Sequence, residues 1–87
     1  MNMANNIVIY TIKTCPYCIK AKELLKSKGE SFEEIDVSNN EELRQSMMEK
    51  SQGRRSVPQI FINNKHIGGC DDLYELEVQN KLDELLK

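Results

Sequence analysis

Two cysteines that lie three positions apart, Cys15 and Cys18, are the residues of this chain best suited to chemistry. Pro16 between them suits the first position of a helix, because its missing N–H costs nothing there. Cys15 would then lie at or near the helix N-cap and Cys18 in the first turn, where a disulfide between them is feasible. Unpaired backbone N–H groups and the positive end of the helix favour a thiolate at Cys15. The arrangement predicts thiol–disulfide exchange, with Cys18 better placed to attack a mixed disulfide on Cys15 than to meet substrate first.

The charges around this pair favour an anionic sulfur. Between Ile7 and Lys22 the ionisable side chains, apart from cysteines and tyrosines, are Lys13, Lys20 and Lys22. The whole chain, with 12 basic and 14 acidic residues, has a net charge of −2. That balance argues against the basic surface of a nucleic-acid-binding protein.

A zinc site is the alternative chemistry for the same cysteines. Cys15, Cys18, His66 and Cys70 formally supply three sulfurs and one nitrogen, and the spacing from His66 to Cys70 is tolerable for zinc ligands. However, His66 falls on a predicted strand whose alternation would have to direct both residues at the first helix. A structural zinc would also be superfluous beside a layered α/β core. We therefore expect no metal site, and a purely structural disulfide is expected even less in a cytosolic protein.

Length and composition predict one small globular domain over residues 1–87. The chain is 39% hydrophobic and 30% charged, and it contains no linker, repeat or low-complexity run. No apolar run approaches the roughly 18 residues of a membrane span. The first six residues lack the charged and apolar regions of a secretory signal. We therefore expect a cytoplasmic protein without a membrane partner.

Four strands and three helices are predicted to position the cysteine pair. The strands are expected from β-branched and aromatic runs over 7–12, 31–37, 57–62 and 65–68. The helices are expected from Pro16 to a stop at Gly29, from a capping box at Ser38 to Gly53, and from a capping box at Asp72 through the C-terminal leucines. A βαβ unit followed by a ββα unit predicts an α/β fold with one mixed four-stranded sheet and helices packed on it.

Three separated segments of the chain resemble those of glutaredoxins, and the resemblance extends from about Ile7 to Leu86. The segments are 14–18 (TCPYC), 56–62 (SVPQIFI) and 67–73 (IGGCDDL). Their joint occurrence in this order is specific, whereas Cys-x-x-Cys alone is not. The short chain and the Cys-Pro-Tyr-Cys site are most similar to the small bacterial dithiol glutaredoxins. Ser56, where the family commonly has threonine, keeps the hydroxyl.

The resemblance implies a thioredoxin-like fold and the reduction of protein disulfides and glutathione mixed disulfides. Cys15 would be the nucleophile and Cys18 the resolving thiol. Glutathione would act as co-substrate, with no tightly bound cofactor. The protein partners would carry disulfides or glutathionyl groups, and we expect a monomer. Val57–Pro58 would be a cis bond whose backbone pairs with the cysteine of glutathione.

The same resemblance implies a set of glutathione-binding residues in addition to Val57 and Pro58. They are Lys13, Tyr17, Gly69, Cys70, Asp71 and Asp72. To these we add Arg54, which with its neighbour Arg55 forms the basic pair near Pro58 and would contact a carboxylate of the ligand.

Several of these residues have simpler interpretations. Lys13 would be a solvated turn lysine, Tyr17 would pack on the turn, and Asp72 would cap a helix. The glycine pair that ends in Gly69 would form a bulge, and Cys70 would be an inert packing residue rather than a third redox-active thiol. His66 is interpreted as a surface strand residue without a catalytic role.

Two other functions compete with the enzyme. Family members with a single active-site cysteine carry an iron–sulfur cluster between two chains, but here Pro16 and the second cysteine disfavour this, because a disulfide competes for the same sulfur. A thioredoxin-like reductant that is served by a flavoprotein reductase is the other alternative. The Pro-Tyr pair between the cysteines and the segment 69–72 (GCDD) favour glutathione instead.

Overall fold

A mixed four-stranded sheet organises the computed structural model, which describes residues 5–86. Strand β1 (Ile7–Thr11) pairs in parallel with β2 (Glu33–Asp36) and antiparallel with β3 (Gln59–Ile62), and β3 pairs antiparallel with β4 (Lys65–Gly68). The order across the sheet is β2-β1-β3-β4. This is the mixed sheet that the sequence predicts. None of the helices within the described part of the chain is long and apolar enough to cross a bilayer.

Within residues 5–86, four helices cover the two faces of the sheet. They are α1 (Pro16–Ser27), α2 (Glu41–Lys50), α3 (Cys70–Val78) and α4 (Leu82–Leu86). Alternation along β1 divides the core, since Ile9 packs with α1, α3 and α4 on one face and Tyr10 packs with α2 on the other. Both face-specific clusters contain residues of β3 as well. The two inner strands are therefore covered on both sides, which fits their nearly continuous apolar sequences.

The start of α2 differs from the prediction. Asn40, not Ser38, is the N-cap, and its side-chain oxygen accepts the N–H of Leu43 at 3.0 Å. The Ser38 hydroxyl instead accepts the backbone N–H of Lys13 at 2.9 Å, in the connection between β1 and α1. The predicted capping box at Ser38 is wrong because a contact from a distant loop engages its hydroxyl.

The predicted C-terminal helix is two helices. Asn80 has a left-handed backbone (φ 61°), and the N–H of Lys81 donates to the carbonyl of Leu76 at 2.8 Å. This pattern ends α3 as a Schellman motif before α4 begins. The sequence placed no stop there because asparagine is a weaker signal than glycine for this conformation.

The start of α3 also corrects the sequence interpretation. Gly69 is the N-cap, and Asp72 is the third residue inside the helix. The Asp72 carboxylate accepts the N–H of Gly69 at 2.9 Å. Asp72 therefore does cap the helix end, but from within the first turn rather than from the N-cap position.

Candidate active site

Cys15 is the N-cap of α1, as the sequence predicts. Its backbone is extended (φ −141°), and its sulfur accepts the N–H of Cys18 at 3.2 Å. Its carbonyl accepts the N–H of Ile19 at 3.1 Å and so begins the helical hydrogen bonds. A sulfur that receives an N–H at a helix N-terminus is stabilised as an anion.

Cys18 lies one turn deeper and is the more buried of the two thiols. It is 1% exposed, against 8% for Cys15. Burial, and secondly the hydrogen bond to the Cys15 side chain, raise the pKa of Cys18 to about 12. Cys18 is therefore a protonated thiol at neutral pH. In the described chain both cysteines and Cys70 are free thiols. The pair thus combines a more accessible acceptor sulfur with a buried proton donor.

A shallow cavity of about 160 Å³ lies beside the start of α1. It is lined by Tyr17, Arg54, Ser56, Val57, Pro58, Gly69, Cys70, Asp71 and Asp72. Eight of the nine residues predicted to bind glutathione are in this set. The exception is Lys13, whose side chain is exposed and does not line the cavity. The additional residue, Ser56, belongs to the 56–62 segment that the resemblance uses, but the sequence did not single it out as a site residue.

Two chain segments meet closely to form this cavity. The Val57–Pro58 peptide bond is cis, as the resemblance implies. A Cβ atom at Gly69 would lie 3.4 Å from the Pro58 carbonyl oxygen and 3.8 Å from an Arg54 guanidinium nitrogen. Glycine at position 69 therefore lets the N-terminus of α3 approach the loop before β3 closely.

Gly68 has a stricter requirement for glycine than Gly69. Its φ is +121°, and a Cβ there would overlap the Asp72 carboxylate, at 2.7 Å from Cγ. The ladder between β3 and β4 also shifts at this point, where Ile60 pairs with Gly68 but Phe61 pairs with His66. Strand β4 does bulge beside Gly68, with Ile67 as the extra residue, whereas Gly69 lies beyond the strand as the N-cap of α3. The missing Cβ of Gly68 leaves room for the carboxylate that caps α3.

The ionised side chains of the cavity carry both signs. Arg54 and Asp72 form an ion pair at 3.3 Å, with side chains 45% and 48% exposed. An ion pair this exposed contributes little to stability, at about 0–1 kcal/mol, and exchanges readily with other partners. Asp71 and the N-terminus of α3 complete a surface with a cation, two carboxylates and free N–H groups.

The lysines near the cysteine pair are mostly engaged elsewhere. Lys22 forms an ion pair with Glu34 at 2.9 Å, on the side of β2. The Lys20 ammonium lies 5.9 Å from the ring centre of Tyr74 on α3. The Cys15 sulfur thus contacts the N-terminus of α1 through the Cys18 N–H, whereas these two lysines contact other groups.

His66 occupies the opposite face of the sheet from Cys70. Its ring is 5.0 Å from that of Phe61 in the α2-side core, whereas Cys70 belongs to the core under α1 and α3. Within residues 5–86, no group of three or more histidine, cysteine, aspartate or glutamate side chains has an arrangement suited to a metal ion. The zinc alternative therefore has no geometric support.

His66 is also more enclosed than predicted. It is half-buried, its Nε2 lies 2.7 Å from the side-chain oxygen of Gln59, and burial lowers its pKa. His66 does lie on a strand at the edge of the sheet, as predicted, but its contacts with Phe61 and Gln59 leave its side chain half-buried rather than fully exposed.

Comparison with known proteins identifies the family. The glutaredoxin family model matches residues 7–67. The chain belongs to the glutaredoxin family. It is 56% identical over 82 residues to glutaredoxin 3 of Escherichia coli strain K12. The alignment covers 94% of this chain and 98% of that protein. The resemblance seen in the sequence is therefore confirmed.

Solved glutaredoxins share its architecture. The solution structure of glutaredoxin from Brucella melitensis is 56% identical and superposes with a TM-score of 0.82, covering 94% of this chain and 88% of that one. The crystal structure of a buckwheat glutaredoxin–glutathione complex is 30% identical with a TM-score of 0.86, covering 94% and 76%. This glutaredoxin has the thioredoxin-like fold of these proteins, and the family's role is thiol–disulfide oxidoreduction.

Proposed function

We propose that this glutaredoxin reduces protein disulfides and glutathione mixed disulfides, with glutathione as its reductant. The observation that carries the proposal is the pairing of an N-cap sulfur at Cys15, which accepts an N–H, with a buried Cys18 thiol, beside a cavity of mixed charge. The buckwheat glutaredoxin, solved as a glutathione complex, is a structural relative that supports glutathione as the ligand.

The first chemical step assigns the two sulfurs different roles. The Cys15 thiolate attacks one sulfur of the substrate disulfide, so that a new S–S bond forms and the old one breaks. The departing thiolate takes a proton from the medium. For a glutathionylated substrate the attack on the glutathionyl sulfur leaves glutathione on Cys15 and frees the protein thiol. Exchange through a thiolate is the general route of such reactions.

The second step depends on the substrate. With a protein disulfide, Cys18 loses its proton and attacks Cys15, which releases the reduced protein and leaves a Cys15–Cys18 disulfide. One glutathione opens that bond, and a second removes the glutathionyl group from Cys15, so that two glutathiones become one glutathione disulfide. With a glutathionylated substrate, Cys15 alone suffices.

The cavity offers complementary groups for each part of glutathione. Arg54 and the N-terminus of α3 favour a carboxylate, and Asp71 and Asp72 favour the ammonium group. The backbone of the Val57–Pro58 segment is available to pair with the central cysteine of the tripeptide. The exposed Arg54–Asp72 ion pair exchanges for contacts with the ligand at small cost.

A coupled assay tests the proposal. NADPH consumption is followed with glutathione, glutathione reductase and a small glutathione mixed disulfide, for the wild type, Cys15→Ser and Cys18→Ser. We expect turnover by the wild type and Cys18→Ser and none by Cys15→Ser. With a protein disulfide as substrate, Cys18→Ser should lose activity as well. Retained activity of Cys15→Ser, or no turnover by folded and reduced wild type, would contradict the proposal.

A further inference from the structure

Gln59 is a polar side chain in an otherwise apolar strand. It is the first residue of β3 and is 0% exposed. Its amide nitrogen donates to the carbonyl of Ser56 at 3.0 Å and lies 3.2 Å from the Ser56 hydroxyl. Ser56 lines the candidate active-site cavity, but Gln59 does not. The buried amide therefore holds the backbone of a cavity residue from behind.

His66 contacts the other end of this amide. Its Nε2 lies 2.7 Å from the Gln59 side-chain oxygen. Because the amide NH₂ is directed at Ser56, the oxygen is the end that faces the imidazole, and Nε2 must carry a proton to donate. The neighbouring Phe61 ring, 5.0 Å away, packs on the imidazole and fixes its position. A three-residue chain thus runs from β4 through β3 to the loop before β3.

The hydrogen bonds among His66, Gln59 and Ser56 are more than the packing of the core requires. A buried amide must have partners for its donors and its acceptor, since each unpaired group costs about 1–3 kcal/mol, whereas an apolar side chain of similar size has no such need. Here both ends of the Gln59 amide are used, and the donors reach the segment that precedes the cis Val57–Pro58 bond.

We propose that Gln59 is a positioning residue of the active site, whose buried amide holds the Ser56–Pro58 segment in place for the substrate, and that His66 acts through Gln59. The inference rests on the proposed function, since the segment is one wall of the cavity assigned to glutathione. Neither residue touches the substrate. They keep the Ser56–Pro58 wall of the cavity rigid. Substrate binding therefore does not have to lose free energy in ordering that wall.

Gln59→Met tests the proposal because methionine keeps the length of the side chain without its hydrogen bonds. We expect KM for a small glutathione mixed disulfide to rise about fivefold, the factor that corresponds to one net hydrogen bond, with kcat nearly unchanged. His66→Phe should raise KM less, because the donors to Ser56 remain. In the double variant the loss should equal that of Gln59→Met alone, because His66 has no other route to the segment.

Ile7→Val is the matched control. Ile7 is 2% exposed and belongs to the core under α1, α3 and α4, on the other face of the sheet from the cluster that Val57 packs against, so its truncation lowers stability by about 0.5–1.5 kcal/mol without touching the segment. Its KM should stay at the wild-type value. The rate at which iodoacetamide modifies Cys15 should also stay unchanged in Gln59→Met, which separates a displaced wall from an altered nucleophile.

A second measurement is independent of the substrate. Backbone ¹⁵N relaxation should give lower order parameters at Ser56 and Val57 in Gln59→Met than in the wild type and Ile7→Val. If the wild type fails to use a glutathione substrate but these order parameters fall, the proposed function is wrong and the positioning contact is real. Unchanged order parameters, an unchanged KM or additive effects of the two substitutions would overturn the inference.

Discussion

Replacing Gly68 with alanine tests how the end of β4 shapes the candidate site. Gly68 has φ +121°, and the added Cβ would overlap the Asp72 carboxylate. That carboxylate caps α3 by accepting the Gly69 N–H at 2.9 Å and pairs with Arg54 at 3.3 Å. The substitution therefore affects the backbone, the helix cap and one charged wall of the cavity together.

The magnitude follows from comparison with Gly29. Gly29 also has a positive φ (+74°), but a Cβ there would meet nothing within 4 Å. Alanine in the left-handed region costs about 1–2 kcal/mol, which is the expected loss for Gly29→Ala. In Gly68→Ala the same backbone cost is joined by the loss of the Asp72–Gly69 hydrogen bond, about 1 kcal/mol, and of the exposed ion pair, up to about 1 kcal/mol. We therefore expect the free energy of unfolding to fall by about 2–4 kcal/mol in Gly68→Ala.

Thermal unfolding and steady-state kinetics check this expectation. A difference of 1 kcal/mol shifts Tm by about 4–8 °C in a domain of this size. Gly68→Ala should therefore unfold several degrees below Gly29→Ala, and it alone should raise KM for a glutathione mixed disulfide. Equal Tm values for the two variants, together with wild-type KM values, would contradict this expectation.

Two further predictions concern titrating groups. Hydrogen bonds from lysine and threonine side chains lower the pKa of Glu34, so its contribution to stability is present above the pKa of the unfolded chain and is lost as pH falls through the lowered folded pKa. Glu34→Gln should thus lower Tm at pH 7 by the equivalent of about 0.3–1 kcal/mol and have little effect on Tm near pH 2. The control is Glu33→Gln, at an exposed neighbouring position, which should have little effect on Tm at either pH. Because burial raises the pKa of Cys18 to about 12 and raises that of Cys70, iodoacetamide at pH 8 should modify Cys15 alone. Mass mapping that finds Cys18 or Cys70 modified as fast would contradict this expectation.

The sequence predicted the parts of the fold that depend on local pattern. The four strands, the Pro16 helix start and the N-cap position of Cys15 follow from apolar periodicity and from the chemistry of proline at a helix N-terminus. The two predicted capping boxes failed for different reasons. A tertiary contact from the loop before α1 engages Ser38, whereas Asp72 caps α3 by a local contact, from the third position of the helix that follows Gly69.

The candidate site likewise has a part that local pattern predicts and a part that it does not. The cysteine pair is local and was predicted from spacing, whereas the cavity joins segments that are far apart along the chain. Their association came from family resemblance and not from pattern. The contact between His66 and Gln59 was missed, although a glutamine within the apolar run 57–62 was a visible signal that a buried partner exists.

Transfer of a glutathionyl group to Cys15 is the most direct test of the central claim. The Cys18→Ser variant, which cannot resolve the adduct, is mixed with a glutathionylated peptide and then digested for mass spectrometry. We expect one glutathionyl group, on Cys15, and an equal amount of free peptide thiol. An adduct on Cys70, or an unchanged peptide with folded and reduced protein, would contradict it.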